Sequence, residues 1–316
     1  MCTGIFISTE NNEFVVGRTL EFGIPINFSQ YCDGFLYATK GNFVGSKQEF
    51  IFDGLNKYGL FIGVFYYPHM NSQYQNKLSN NLLNLNNADF APYVLFNCKN
   101  VKNVIEILPN IQIIQTIVNN EKYSLHWLVC DKLGNCIVVE VLNNKLVYYD
   151  NPYGCMTNSP SFPTHVKELK SLKHLSVYSK PNSWSEGTGA IGLPGDFSSQ
   201  SRFIRAAFFR KNLPKPQNSL DGIQIVNNTL TNFNIPLGSV LNPSTNSAEV
   251  TQYTVSYALN KFNIEYANRG FIYNKKLEWK FTKNPVKTCN TEYINFIFLI
   301  FFIIGIISYK NKKSKK

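Results

Sequence analysis

The sequence predicts an α+β fold in which antiparallel sheets pack face to face with helices outside. Three observations carry this. Strand-like runs come as hairpins, helical signals come in pairs, and the two kinds of segment do not alternate as β-α units would. The length of 316 residues suits one large domain with a deep core, or two smaller ones. A hydrophobic fraction of 44% and an aromatic fraction of 15% exclude a disordered chain.

The elements follow in order. Cys2 to Ser8 reads as a strand, Glu10 to Glu13 as a polar turn, and Phe14 to Leu20 as the second strand of a hairpin. The stretch from Asn71 to Asn87 is a polar, Asn-rich loop. Asp89 is placed to cap a helix reaching about Asn97, and Val101 to Leu108 has helical spacing. Ser124 to Asp131 and Cys136 to Leu142 flank the turn Lys132-Leu133-Gly134-Asn135, and Lys145 to Tyr149 extends that sheet. Pro163 to Leu172, Ser201 to Lys211 and Asp221 to Asn232 read as helices. Val250 to Leu259 pairs with Asn263 to Ala267, and Gly270 to Tyr273 follows.

The end of the chain differs in kind. Phe296 to Ile307 is an unbroken apolar run inside the wider segment 293–309, and aromatic residues mark both its edges. A bilayer needs about 17–25 apolar residues, so the expectation is a short C-terminal transmembrane helix followed by a basic tail, 310–316. A buried terminal element is the alternative. Five lysines fall in the last seven residues, and removing them from the net charge of +11 leaves +6, spread along the chain. No zinc-finger spacing and no basic–aromatic stripe is present, so nucleic acid is not an expected partner. Orientation signals conflict: the lysines favour a cytosolic tail, whereas a span emerging last from the ribosome favours tail anchoring. The reading adopted is a cytosol-facing enzyme on an intracellular membrane. Homo-oligomerisation is left open.

Seven cysteines, an odd number without C-x-x-C spacing, speak against a disulfide framework or metal site. Cys98, Cys130, Cys136 and Cys155 lie in or beside apolar runs and read as buried, inert thiols. Cys2 stands apart. An attacking thiol needs a base, and an N-terminal cysteine carries its own in an α-amine whose ordinary pKa is about 8. Methionine before a small residue is normally removed, which would expose that amine. Of the four histidines, His126 in Leu125-His126-Trp127 reads as a core residue, and His165 and His174 as surface-helix residues. Gly192-Leu193-Pro194-Gly195-Asp196 is not a phosphate loop, because the G-x-x-x-x-G-K-[ST] pattern is missing.

Several segments, in order, resemble the choloylglycine hydrolase family of bile salt hydrolases and penicillin V acylases. They are Met1-Cys2-Thr3-Gly4-Ile5, Gly17-Arg18-Thr19-Leu20-Glu21, Leu125-His126-Trp127, Asp150 to Pro160, Gly192 to Arg205, and Thr251-Gln252-Tyr253-Thr254. The resemblance implies a four-layer αββα N-terminal-nucleophile domain over residues 2–285. It also implies a hydrolase acting on C–N bonds in linear amides through an acyl-cysteine, with a small amphipathic N-acyl amide as substrate (a bile-acid conjugate, a phenoxyacetyl penicillin or a fatty-acyl amide) and no cofactor or metal. By the same resemblance Cys2 is the nucleophile, Arg18 lies beside it, and Asn158 and Arg202 belong to the pocket. Asn84 matches a second asparagine or tyrosine of the oxyanion hole, with Asn86 and Asn87 as rivals. Glu21 stands where the family usually has aspartate, near the nucleophile's amine. That substitution supports the alternative of a membrane-tethered, non-catalytic binding protein on the same fold.

Overall fold

The computed structural model describes residues 1–23, 26–43, 49–68, 74, 77–118, 121–178, 189–242, 246–261 and 263–268. Sixteen strands are formed among them: β1 (Cys2–Ser8), β2 (Phe14–Phe22), β3 (Ile26–Cys32), β4 (Leu36–Phe43), β5 (Phe50–Asn56), β6 (Leu60–Tyr66), β7 (Leu83–Asn86), β8 (Ile111–Ile114), β9 (Thr116–Val118), β10 (Glu121–Tyr123), β11 (Leu125–Asp131), β12 (Cys136–Leu142), β13 (Lys145–Asp150), β14 (Cys155–Met156), β15 (Val250–Ala258) and β16 (Asn263–Asn268). The helices are α1 (Asn87–Asn97), α2 (Val101–Ile107), α3 (Phe162–Ser171), α4 (Ser199–Asn212) and α5 (Ser219–Leu230).

Two antiparallel sheets dominate. One runs β14-β1-β2-β15-β16 and the other β13-β12-β11-β6-β5-β4-β3. Helices α4 and α5 pack on the first sheet, with α3 against α4, while α1 and α2 pack on the second. The expected layering of helices, two facing sheets and helices is therefore present among the described residues.

Central strands are buried on both faces, which is why they read as nearly continuous apolar runs. Along β6, Leu60, Ile62 and Val64 join the core beneath α1, while Phe61 and Phe65 point between the sheets. The same alternation sends Trp127 and Val129 of β11 one way, and Leu128 and Cys130 the other. Each such side chain contributes roughly 1.5–3 kcal/mol on full burial. Two glycines let the layers close. A Cβ on Gly4 would lie 2.9 Å from the Phe65 ring of the facing sheet, and one on Gly17 would lie 2.4 Å from Val226 of α5.

The structure corrects some expectations. The loop from Asn71 to Asn87 contains β7, which pairs in parallel with β8. Asp89 sits in the first turn of α1 rather than capping it; the N-cap is Asn86. The run 26–66, to which the sequence reading gave no elements, forms β3 to β6. The expected segment Gly270 to Tyr273, the span 293–309 and the basic tail 310–316 lie outside the described residues. Among the described residues no helix is long and apolar enough to cross a membrane.

Candidate active site

Strand pairing assembles the site at the first residue of β1. Cys2 pairs with Leu20 and Gly4 with Arg18, so Arg18 is the diagonal neighbour of Cys2 on the face between the sheets. Gly4 pairs with Met156 of β14, and continuing that register two residues brings Asn158 opposite Cys2. Arg202 reaches the same point from the first turn of α4. Cys2, Arg18, Glu21, Asn158 and Arg202 thus come together from four distant parts of the chain, all of them buried.

Arg18 Nη2 donates to Cys2 Sγ at 2.9 Å. Its Nη1 donates to the carbonyls of Phe52 and Val64, both at 2.8 Å, and lies 3.4 Å from Asp53 Oδ2. The guanidinium also packs over Phe65, 4.9 Å from the ring centroid. Burial works against the Arg18 charge. The surrounding Tyr253, Cys2, Asp53 and Glu21 outweigh it and push the pKa above its ordinary value.

Asn158 is the hub of the polar network. Its Oδ1 accepts from Cys2 N at 2.8 Å and from Arg202 Nη2 at 2.8 Å, and its Nδ2 donates to the Tyr66 carbonyl at 2.7 Å. An amide nitrogen carries two hydrogens, so a second donor remains on Nδ2. Arg202 Nη1 also donates to the Cys2 carbonyl and to Thr3 Oγ1. Burial lowers the Arg202 pKa.

Glu21 follows Leu20 on the opposite face of β2 and is fully buried. Its Oε1 accepts from Thr251 Oγ1 at 3.1 Å, and its Oε2 makes no hydrogen bond among the described residues. The Glu21 amide donates to the Met1 carbonyl at 2.8 Å, and the Met1 amino group donates to the Glu21 carbonyl. Burial pushes the Glu21 carboxyl up, opposed by the nearby amino terminus and by Arg202.

Asn84 does not join this group. Its Oδ1 accepts from Ser79 N at 2.9 Å and its Nδ2 donates to Ser79 O at 2.8 Å. It closes a local turn ahead of β7, on an element that pairs with β8 and is not part of either main sheet. Asn87 is buried, and its Nδ2 donates to the Tyr123 carbonyl. Asn86 instead bonds Asp89, at 3.2 Å. The residue that meets Asn158 from this side is Tyr66. The amide of Tyr67 donates to Ser124 O, so by alternation the backbone of Tyr66 turns away from β11, and its carbonyl accepts from Asn158.

Sequence reasoning also missed Asp53, Tyr253, Tyr257 and His165 as parts of the site. Asp53 is fully buried; Tyr257 donates to its Oδ1 at 2.5 Å and Tyr253 donates to its Oδ2. The available signal was a lone carboxylate inside the apolar run Phe50-Ile51-Phe52-Asp53. His165, expected on a surface helix, is buried, and its Nε2 donates to the Asn158 carbonyl at 2.8 Å. Burial lowers its pKa to about 4, so the ring is neutral. His126 is a core residue as expected, stacked on Tyr67. His69 lies outside the described residues.

Beside Cys2 a cavity of about 50 Å³ lies between the sheets. Its lining is predominantly apolar and includes the aromatic residues Phe22, Phe43, Phe50, Phe52, Tyr66 and Tyr123. Glu21, at the Cys2 end, is the one charged residue among those lining it. Among the described residues no cluster of His, Cys, Asp or Glu could hold a metal ion.

The model of the family of linear amide C–N hydrolases, the choloylglycine hydrolases, matches residues 2–269. The chain belongs to the choloylglycine hydrolase family. It is similar to an uncharacterised protein of Paramecium bursaria Chlorella virus 1, with 39% identity over 84% of this chain and 96% of that one. It is also similar to a bile salt hydrolase/transferase of Clostridium perfringens, with 31% identity over 85% of this chain and 89% of that one. Among solved structures, a mutant conjugated bile acid hydrolase from Clostridium perfringens superposes with a TM-score of 0.74 at 26% identity, covering 92% of this chain and all of that one. As a choloylglycine hydrolase, the chain is a hydrolase of non-peptide C–N bonds in linear amides.

Proposed function

We propose that the chain cleaves N-acyl amides whose acyl group is apolar along its length, a fatty-acyl or aryl-acetyl amide, through an acyl-cysteine at Cys2. The observation that carries this reading is the Cys2 thiol, held 2.9 Å from Arg18 Nη2 at one end of an aromatic-lined cavity. Once Met1 is removed, the freed α-amine of Cys2 takes the thiol proton, and Arg18 stabilises the thiolate. The thiolate attacks the amide carbon. The remaining Asn158 Nδ2 hydrogen faces the developing oxyanion. The protonated amine then passes its proton to the leaving nitrogen, the C–N bond breaks, and a thioester remains. Water, deprotonated by the same amine, hydrolyses it. Glu21 Oε2 supports the amine in this scheme.

The acyl preference follows from the lining. Each methylene moved from water into the cavity contributes about 0.8 kcal/mol, roughly fourfold in kcat/KM. A hydroxyl buried there without a partner costs about 1–3 kcal/mol. A homologous series of N-acyl glycines tests this against a conjugated polyhydroxy steroid. The proposal predicts rising kcat/KM with chain length and a strong preference over the steroid. Faster turnover of the steroid would contradict it. The same proposal places residues 293–309 in an intracellular membrane with the enzyme facing the cytosol. The apolar run supports the membrane segment of that proposal.

A further inference from the structure

Cys130 and Cys136 face each other on neighbouring strands, at the last pair before the β11–β12 turn. Their sulfur atoms are 3.3 Å apart. The Asp131 amide donates to Asn135 O at 3.0 Å across the next pair, which makes Cys130 and Cys136 a non-hydrogen-bonded pair. Consistently, the Cys136 carbonyl accepts from Asn151 N at 2.9 Å, on the side away from β11. Cα atoms of such pairs lie about 4.5 Å apart, inside the range of roughly 4.4–6.8 Å that a disulfide spans. Closing the gap between the sulfurs to about 2.05 Å therefore needs side-chain movement and little backbone movement.

We propose that Cys130 and Cys136 are a modification site that closes to a reversible cross-strand disulfide when a low-molecular-weight disulfide such as oxidised glutathione is present. Cys136 is partly exposed and Cys130 is buried, which sets the order of events. The Cys136 thiolate attacks one sulfur of the small disulfide, releasing one thiolate and leaving a mixed disulfide. The Cys130 thiolate then attacks Cys136 Sγ, and the second small thiolate leaves. Two protein thiols are oxidised, one small disulfide is reduced to two thiols, and the two thiol protons pass to the leaving thiolates. Burial and the adjacent Cys136 raise the Cys130 pKa well above that of a free thiol, so the second step is the slower one.

The staple ties the strand carrying Leu125, which lines the cavity, to the strand carrying Glu140, which accepts from the Phe162 amide at the start of α3. A reducing cytosol keeps the pair as thiols and an oxidising compartment closes it. Its state in cells therefore reports which side of a membrane the domain occupies.

The test uses the full chain, reduced and then incubated with oxidised glutathione at pH 8. Free thiols are blocked with iodoacetamide under denaturing conditions, and tryptic peptides are mapped by mass. Cleavage after Lys132 separates residues 123–132 from 133–145, so closure appears as one cross-linked species that dithiothreitol resolves. The expected result is that this species predominates, and that the wild-type melting temperature rises by about 3–6 °C on oxidation. Cys136→Ser should show neither change while keeping its turnover. Both cysteines remaining alkylatable would overturn the proposal. So would Cys136 retaining glutathione without exchange. Should Cys136→Ser fold poorly, the wild-type peptide map decides alone.

Discussion

Replacing Asp53 with asparagine removes the carboxylate that faces Arg18 and leaves shape and volume nearly unchanged. Arg18 Nη1 and Asp53 Oδ2 are 3.4 Å apart, and both side chains are fully buried. At an effective dielectric of about 20 their attraction is roughly 5 kcal/mol. Removing one partner of a buried pair typically costs about 3–5 kcal/mol, because the other charge is left uncompensated. Asp53→Asn should therefore destabilise the domain by about 3–5 kcal/mol in urea unfolding. It should also lower kcat about a hundredfold, since an ångström of drift in the Arg18–Cys2 contact is enough. The decisive assay is a double-mutant cycle with Arg18→Met. If the pair is coupled as described, the double variant loses at least about 2 kcal/mol less than the two single losses combined. Additivity within about 0.5 kcal/mol would refute the idea that Asp53 acts through Arg18.

Three further outcomes follow from the same geometry. Glu21→Asp should retain or raise kcat, and Glu21→Gln should lower it about tenfold or more; silence in both would remove Glu21 from the amine's surroundings. Because burial lowers the His165 pKa from 6.5 to about 4, the unfolded state binds the extra proton between those values. Stability is thus full above pH 6.5 and falls by about 3 kcal/mol as the pH drops toward 4, a slope that His165→Gln should flatten in pH-dependent unfolding. Deleting residues 293–316 should release the protein from membranes in flotation assays and leave turnover of a soluble substrate unchanged; loss of folding would place that segment in the core.

The parts of the site that sequence revealed are those whose chemistry is local. Cys2 and Arg18 sit on one hairpin, so their proximity follows from a single turn and a register. Asn158 and Arg202 were legible only through family resemblance, since nothing near either in the chain encodes its meeting with Cys2. Asp53 and Tyr257 were not legible at all. Their partnership joins β5 of one sheet to β15 of the other and depends on how the two sheets face each other. Asn84 was misplaced for a similar reason. Spacing back from α1 counts residues along a loop, and the position beside Asn158 is filled by the end of β6 at Tyr66. Strands β5 and β6 lacked a clean two-residue alternation because both of their faces are covered.

In the proposed mechanism Cys2, with a free α-amine, forms the acyl intermediate. Intact-mass measurement of active protein, mixed with a slowly hydrolysed N-acyl substrate and quenched in acid, tests it directly. The expected result is a mass lacking Met1 and increased by one acyl group mapped to Cys2, with no adduct and no turnover in Cys2→Ala. Full activity in protein that retains Met1, or normal turnover by Cys2→Ala, would contradict it.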